Sequence, residues 1–252
     1  QVIDIMSKHA YLIIAHTNFG QLKKLLQLLD DQKNDIYVFV DKTSDFDERS
    51  FDSGCKFSTV HFTELMSVSW GGFSQICAEL MLFKTAAAQE KYAYYHLLSG
   101  MDLPLHNQEY IHAFFEKYAG HEFFTFTGEE IYKRENPKSR LQYHYRFQDA
   151  SGSEKKKNIL LKIQNRLLLP IQRRLGIDRL KNNAMTIGYG ANWVSVTDDF
   201  VRYILEHETE IRQMYQNSFC CDEVYKHTLL INSPFKDNIF ISDGVHDRPE
   251  DR

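Results

Sequence analysis

Two acidic residues, Asp222 and Glu223, stand where a helical pattern begins, directly after two cysteines. A carboxylate in this position can take a proton from a hydroxyl group that acts as a nucleophile, which is general-base catalysis. It can equally complement the positive end of the helix dipole without any chemical role. The residue types alone leave both interpretations open. If the carboxylate acts as a general base, Glu223 is the candidate.

Polar residues follow three short apolar runs, at residues 11–15, 36–40 and 94–98. Such runs are typical of strands that are buried on both faces of a parallel sheet. The carboxyl ends of parallel strands meet at one edge, where ligands bind in open α/β sheets. We therefore predict a binding site at this edge, with the loop at residues 99–104 as its floor.

The segments between these runs predict how the strands are connected. Leu22, Leu25, Leu26 and Leu29 form one helical stripe between the first two runs, and a strand, helix, strand order predicts a right-handed parallel crossover. A strong helical pattern over residues 73–89 precedes the third run. We predict an α/β fold with a central, mostly parallel sheet flanked by helices.

Weaker patterns complete the predicted secondary structure. Further strands are predicted at residues 56–62, 122–126, 141–147 and 191–197. Further helices are predicted at residues 108–117, 153–175, 198–206 and 222–230. Pro170 should bend or restart the longest of these helices, and Thr197 or Asp198 should cap the helix that follows.

Length and composition indicate one soluble domain. The chain has 252 residues, of which 43% are hydrophobic and 25% charged, as expected for a globular α/β domain. We predict a single domain over residues 6–252 with a charged insertion at residues 129–182, and interpret residues 1–5 as an addition ahead of a native start at Met6. The net charge of -4 argues against general nucleic-acid binding.

The four cysteines show no metal-ligand spacing. Neighbouring cysteines such as Cys220 and Cys221 rarely pair with each other, so we predict reduced thiols and a cytoplasmic protein. The sequence has no run of about 18 apolar residues. We accordingly expect no signal peptide ahead of the first predicted strand.

The predicted helix at residues 153–175 combines many Lys and Arg residues with apolar residues at helical spacing. A basic amphipathic helix can lie on an anionic membrane surface. This interpretation predicts peripheral contact with the inner face of the cell membrane. The alternative is a solvated helix that packs on the domain.

Several motifs in order resemble one known family. They are the strand, helix, strand opening at residues 10–44, the SWGG motif at 69–72, the SGMDLPL loop at 99–105 and the CDE motif at 221–223. Together they resemble glycosyltransferase family 14, which includes the core 2/I-branching β-1,6-N-acetylglucosaminyltransferases and the peptide O-xylosyltransferases. The resemblance runs from about Tyr11 to about Asp243 and implies a GT-A-like fold. Animal members are disulfide-rich Golgi proteins behind a membrane anchor, so we expect a bacterial member.

The resemblance assigns roles to the residues at the predicted edge. Glu223 matches the catalytic glutamate of a family motif that reads PDE, and Cys221 stands where proline is usual. The donor contacts that the resemblance implies are Ile14, Ala15, His16 and Asp41 around the uracil, Lys42 near a phosphate, and Trp70, Gly71, Ser99, Gly100 and Asp102. Trp70 could instead fill the core.

Recognition of the acceptor glycan should involve aromatic faces, which stack on sugar rings. The acceptor contacts that we predict are Arg140, Tyr143, Tyr145, Asn192 and Trp193.

Family 14 enzymes use basic side chains in place of a divalent metal on the departing diphosphate. Relatives carry an Arg or Lys pair beyond the region of Asp243. We expect this pair either to lie past Arg252 in a longer native chain or to be replaced by Arg248. We therefore expect no metal and no cofactor, with the UDP-sugar as a substrate. Asp45-Phe46-Asp47 fits a metal-binding Asp-x-Asp pattern literally, so Asp45 and Asp47 define a metal-dependent alternative.

The resulting prediction is an inverting, metal-independent transferase. It would move a sugar, by default N-acetylglucosamine and next xylose, from a UDP-sugar to a hydroxyl of a glycan or lipid-linked glycan. Bacterial surface polysaccharide synthesis is the expected setting. The alternatives are the metal-dependent transferase and a non-catalytic nucleotide-sugar-binding protein of the same fold.

Overall fold

A five-stranded sheet forms the centre of the computed structural model, which describes residues 8–150 and 154–241. The strand order is β3-β2-β1-β4-β5. The strands are β1 (His9–Ala15), β2 (Asn34–Val40), β3 (Thr59–Phe62), β4 (Tyr94–Ser99) and β5 (Ser195–Thr197). The first four are parallel, and β5 pairs antiparallel with β4. The predicted α/β fold with a mostly parallel sheet is confirmed.

Helices cover both faces of this sheet. They are α1 (Phe19–Leu29), α2 (Phe73–Gln89), α3 (Gln108–Lys117), α4 (Glu129–Glu135), α5 (Pro137–Gln142), α6 (Glu154–Ile163), α7 (Leu169–Arg174), α8 (Asp198–Glu206), α9 (Glu208–Tyr215) and α10 (Asp222–Ile231). Side chains of β1 alternate between the two layers: Tyr11 and Ile13 pack with α1, and Leu12 packs in the cluster that contains α2. Within the described ranges, no helix is long and apolar enough to cross a membrane.

Capping fixes where two of the helices begin. The Thr197 side chain accepts a hydrogen bond from the Phe200 amide (3.3 Å) and caps α8, which confirms that prediction. Gly72 precedes α2 and has no side chain, so the Asp149 carboxylate accepts from the Phe73 amide instead (2.8 Å). The start of α2 is therefore held by a residue from a distant part of the chain.

Two predicted strands were wrong. Residues 122–126 make only isolated bridges with other segments. Residues 141–147 comprise the end of α5 and an irregular segment. The Gln172 side chain accepts from the His144 amide (2.8 Å) and donates to its carbonyl (3.1 Å). A side chain thus meets backbone hydrogen-bonding needs that a neighbouring strand would otherwise meet.

Two other predicted strands are shorter than expected. The strand predicted at residues 56–62 begins only at Thr59, because the Asp30 carboxylate accepts from the amides of residues 56–58 (2.7–2.9 Å). The strand predicted at residues 191–197 begins at Ser195.

The long basic helix is divided into α6, a π-helical turn (Gln164–Leu168) and α7. Pro170 has no amide hydrogen and cannot continue an α-helical hydrogen-bond ladder. The Leu169 amide donates to the Gln164 carbonyl, five residues back, which widens the turn. The prediction that Pro170 bends or restarts this helix is confirmed, and residue 153 lies outside the described residues.

A buried histidine cluster joins β1, β4 and α3. His9 Nδ1 lies 2.9 Å from His96 Nε2, and His112 Nε2 lies 2.8 Å from Asn34 Oδ1. Burial lowers the pKa of His9 to about 3 and also lowers the pKa of His96 and His112. The folded protein therefore holds these rings neutral.

This cluster predicts a loss of stability in acid. The unfolded His9 binds a proton below about pH 6.5 and the folded one does not, so the free energy of unfolding should fall by about 1.4 kcal/mol between about pH 7.5 and about pH 5.5 from this group alone. Urea unfolding of His9→Gln at both pH values should lack this contribution. Glu122, with a pKa raised by burial to about 7, contributes with the opposite sign in both proteins and cancels in the comparison.

The exposed His106 supplies the control for this prediction. His106→Gln should keep the pH dependence of the wild type. An identical pH dependence in His9→Gln and the wild type would contradict the assignment.

Candidate active site

A cavity of about 440 Å³ lies at the carboxyl ends of β1, β2 and β4. The chain runs from β1 to β2 and β3 on one side and places β4 on the other, so the cavity lies at the topological switch point where open α/β sheets bind ligands. The predicted residues that line it are Ile14, Ala15, His16, Asp41, Trp70, Ser99, Asn192, Trp193 and Glu223. The lining residues not predicted are Phe39, Val68, Gln75, Ala78, Glu79 and Asp222.

Glu223 lies in the first turn of α10, and its side chain is 37% exposed at the cavity. Its Oε2 accepts a hydrogen bond from Arg140 Nη1 (3.0 Å), which also donates to the Cys220 carbonyl (3.0 Å). Arg140 Nη2 lies 3.4 Å from Glu135 Oε2, and the guanidinium covers the Tyr189 ring. Burial opposes the charge of Arg140, but pairing with Glu223 outweighs it and raises the pKa of Arg140. The carboxylate is thus both oriented and accessible.

Asp41 closes the end of β2 beside the cavity. Its Oδ1 accepts from the amide and hydroxyl of Thr43 (both 2.8 Å), and its Oδ2 lies 3.4 Å from the Val68 amide. These bonds fix the carboxylate at the cavity wall. Lys42 is exposed and does not line the cavity.

The loop after β4 forms part of the cavity floor. The Asp102 carboxylate accepts from the Ser99 amide (2.9 Å) and closes a tight turn. The Gly100 amide donates to the Ile14 carbonyl (2.8 Å), and a side chain there would come within 2.9 Å of the Ala15 Cβ. Asp102 and Gly100 therefore shape this floor, and Ser99 lines the cavity.

Trp70 and Gly71 lie at the start of α2. Trp70 is 74% exposed and meets Phe219 edge-on, so the alternative that it fills the core is wrong. Gly71 has a φ of 72°, and a side chain there would approach Phe219 to 2.8 Å and Cys220 to 3.0 Å. The Cys220 amide donates to the Gly71 carbonyl (3.0 Å). Glycine thus allows the segment before α10 to dock on the segment before α2.

Cys220 and Cys221 form the backbone that leads to Glu223. Cys220 adopts a left-handed conformation with a φ of 47°, and Cys221 is the N-cap residue of α10. Burial raises the pKa of both thiols to about 12. These thiols and those of Cys55 and Cys77 are unpaired.

A buried charge pair under the cavity was not predicted. Glu79 on α2 and Lys226 on α10 are both 0% exposed and form an ion pair. The Tyr225 hydroxyl donates to Glu79 Oε2 (2.7 Å), and Lys226 Nζ donates to Asn192 Oδ1 (2.7 Å). Within the described residues, Glu79 Oε1 has no hydrogen-bond partner. Burial, followed by the charge of Glu79, raises the pKa of Asp222 to about 6.

A sequence signal for this pair was present. Glu79 interrupts the apolar face formed by Ile76, Leu80 and Phe83, and Lys226 lies on the buried side of α10. Opposite charges on the buried faces of two helices indicate that those faces meet, because a buried charge needs a partner.

The other predicted contacts either do not line the cavity or lie outside the described residues. Tyr143 packs under Arg173, and Tyr145 stacks on Phe219; neither lines the cavity. Arg248 lies outside the described residues, as do residues 1–5.

The Asp-x-Asp motif, on which the metal-dependent alternative rests, lies in an exposed loop. Asp45 and Asp47 are exposed, and Phe46 between them packs on Phe19 and Phe62. Within residues 8–150 and 154–241, no group of three or more His, Cys, Asp or Glu side chains is arranged to hold a metal ion.

A second cavity of about 710 Å³ shares Trp193 with the first. It is lined mostly by aromatic and aliphatic residues, from segments 97–98, 123–128, 193–195 and 239–241. None of these described lining residues carries a charged side chain. The candidate chemistry therefore lies in the smaller cavity.

The sheet, its switch-point cavity and the carboxylates around it define an α/β protein of the GT-A-like class. A family model described as "Core-2/I-Branching enzyme" matches residues 9–246. The chain therefore belongs to the Core-2/I-Branching enzyme family, a family of glycosyltransferases.

Similar proteins include two xylosyltransferases. The chain is 25% identical over 234 residues to xylosyltransferase 2 of Canis lupus familiaris, covering 89% of this chain and 24% of that protein. It is 23% identical over 239 residues to xylosyltransferase 1 of Homo sapiens, covering 91% of this chain and 23% of that protein. The chain thus spans about a quarter of the length of these curated relatives.

Proposed function

We propose that the protein transfers a sugar from a UDP-sugar to a hydroxyl group of a glycan, with inversion and without a divalent metal. One observation carries this proposal: the Glu223 carboxylate is exposed in the switch-point cavity and oriented by Arg140. Family membership supports sugar transfer as the reaction class.

In the proposed reaction, Glu223 takes the proton of the acceptor hydroxyl. The hydroxyl oxygen forms a bond to the anomeric carbon as the bond from that carbon to the UDP oxygen breaks on the opposite face. One displacement inverts the configuration, and UDP leaves with the bonding electron pair. Arg140 would act as a positioning residue for the base. Lys42 and Arg248 are the cations proposed for the diphosphate.

The proposed donor site uses the ends of β1 and β2. A carboxylate held like that of Asp41 can accept a hydrogen bond from the imide N–H of uracil. The donor sugar is N-acetylglucosamine or xylose: the family description names branching enzymes, and the relatives above are xylosyltransferases. The exposed Trp70 ring and Trp193 are suited to stack on sugar rings.

The proposed acceptor is a glycan or a lipid-linked glycan of a bacterial cell surface. The cavity that shares Trp193 with the donor site offers an aromatic surface for it. The unpaired thiols of the described chain support a reducing compartment such as the bacterial cytoplasm.

Removal of divalent metals should leave the activity unchanged. We expect UDP release from UDP-N-acetylglucosamine or UDP-xylose, measured with a glycan acceptor, to proceed equally with and without EDTA. The double variant Asp45→Asn/Asp47→Asn should also match the wild type, because both carboxylates lie on an exposed loop outside the cavity lining.

Two outcomes would contradict this proposal. Activity that EDTA abolishes and Mn²⁺ restores would support the metal-dependent alternative. UDP binding without turnover across a panel of donors and acceptors would support a non-catalytic nucleotide-sugar-binding protein.

A further inference from the structure

The outer side of the basic helix carries an exposed apolar row. Its members are 40–70% exposed, whereas α1 and α8 bury their apolar stripes. The apolar row consists of Ile159, Ile163, Leu167, Ile171 and Leu175. Contiguous exposed apolar side chains of this size mark an interaction surface.

The π-helical turn keeps this row on one side of the helix. In an α-helix, residues spaced by four drift about 40° around the axis at each step, because a turn holds 3.6 residues. The π-helical turn at Gln164–Leu168 holds more than four residues. Residues spaced by four there fall short of a full turn, so their positions shift around the axis in the opposite direction. The widened turn before Pro170 thus maintains one continuous surface.

A second row of cations accompanies the first. Lys162, Arg166 and Arg174 each directly precede a member of the apolar row, and all three are exposed. We call them the basic row. Residues 154–174 contain seven Lys and Arg residues and one Glu, although the whole chain has a net charge of -4. Positive charge is therefore concentrated in the segment that carries the apolar row.

The opposite side of the helix packs on the domain and is hydrogen-bonded to it. Gln164 is fully buried and accepts from the Phe147 amide (2.9 Å). Gln172 is also buried and binds both backbone groups of His144. These two anchors fix which side faces outward, so the two rows are presented together on a stable support.

We propose that this surface docks the protein on an anionic lipid bilayer. The apolar row would enter the boundary between headgroups and acyl chains, and the basic row would contact the anionic headgroups. An acidic protein surface without apolar side chains would suit the basic row alone, and a second copy of this chain would bring like charges together. A bilayer satisfies both rows at once. This docking does not depend on the proposed reaction.

The test is co-sedimentation of the full chain with vesicles. We expect strong binding to phosphatidylcholine vesicles that contain about 30% phosphatidylglycerol, and weak, salt-insensitive binding to pure phosphatidylcholine. Lys162→Gln/Arg166→Gln/Arg174→Gln should lower binding to the anionic vesicles about 100-fold. Ile163→Gln/Leu167→Gln should lower it at least about 10-fold. All these residues are exposed, and circular dichroism would check that each variant folds.

Matched controls are available elsewhere on the surface. Lys24→Gln/Lys181→Gln/Lys236→Gln makes the same charge change, and Leu65→Gln/Leu105→Gln removes two exposed leucines. Both controls should bind vesicles like the wild type. Equal loss in the controls, or no preference for anionic vesicles, would overturn the proposal. A change in oligomeric state in Ile163→Gln/Leu167→Gln without vesicle binding would overturn it in favour of self-association.

Discussion

Replacing Glu223 with glutamine is expected to lower the rate of sugar transfer by about 10²–10⁴-fold, the usual contribution of a general base. Glutamine has nearly the same shape but cannot take the hydroxyl proton. The local fold should persist, because Arg140 keeps its hydrogen bond to the Cys220 carbonyl (3.0 Å) and its pairing with Glu135 (3.4 Å). The rate would be measured as UDP release with saturating donor and acceptor, and UDP affinity by calorimetry.

The control for this variant is Glu206→Gln. Glu206 is an exposed carboxylate at the end of α8, and its loss should leave the rate unchanged. Glu223→Gln should bind UDP as tightly as the wild type. A rate near that of the wild type would exclude Glu223 as the base and turn attention to Asp222, the neighbouring carboxylate at the cavity. Weakened UDP binding together with a lower melting temperature would indicate a structural role instead.

Replacing Lys226 with methionine is expected to destabilise the fold by about 3–5 kcal/mol, the usual result of leaving a buried charge without its partner. Lys226 and Glu79 are both fully buried. Without the ammonium group, the Tyr225 hydroxyl would be the one donor left to the Glu79 carboxylate among the described residues. Urea unfolding at neutral pH would measure the change in the free energy of unfolding.

A double-mutant cycle separates the charge from the packing. Glu79→Gln/Lys226→Met removes both charges and keeps an acceptor for Tyr225, so it should be more stable than Lys226→Met alone. The exposed Lys236 offers a control, and Lys236→Met should change stability by less than about 0.5 kcal/mol. If the effects of Glu79→Gln and Lys226→Met on the free energy of unfolding add strictly in the double variant, the two charges are not coupled.

The fold was predictable where local pattern and burial agree. The apolar run of β2 is buried along its length, and that of β1 is buried except at Ile14. The leucine stripe of α1 lies entirely in the core. Prediction failed where distant side chains complete the backbone hydrogen bonds. Residues 141–147 have a strand-like pattern, but the Gln172 side chain hydrogen-bonds the backbone amide and carbonyl of His144. The local sequence around His144 does not indicate this distant partner.

The candidate site was predictable to the extent that it follows from strand ends. Asp41 and Ser99 line the cavity because parallel strands bring their carboxyl ends to one edge. The Glu79 and Lys226 pair depends on which faces of α2 and α10 meet. Each charge marks a buried face of its own helix, so only the two patterns taken together indicate the pair. Arg140 was predicted as an acceptor contact, whereas its pairing with Glu223 depends on how α5 packs near α10.

The raised pKa values of Cys220 and Cys221 have a practical consequence for labelling chemistry. Electrophiles such as maleimides react with thiolates, and thiols with a pKa near about 12 are almost wholly protonated at neutral pH. Burial also raises the pKa of Cys55 and Cys77. A cysteine introduced at an exposed position could therefore carry a fluorophore selectively in the otherwise native chain, with no need to remove the thiols beside Glu223.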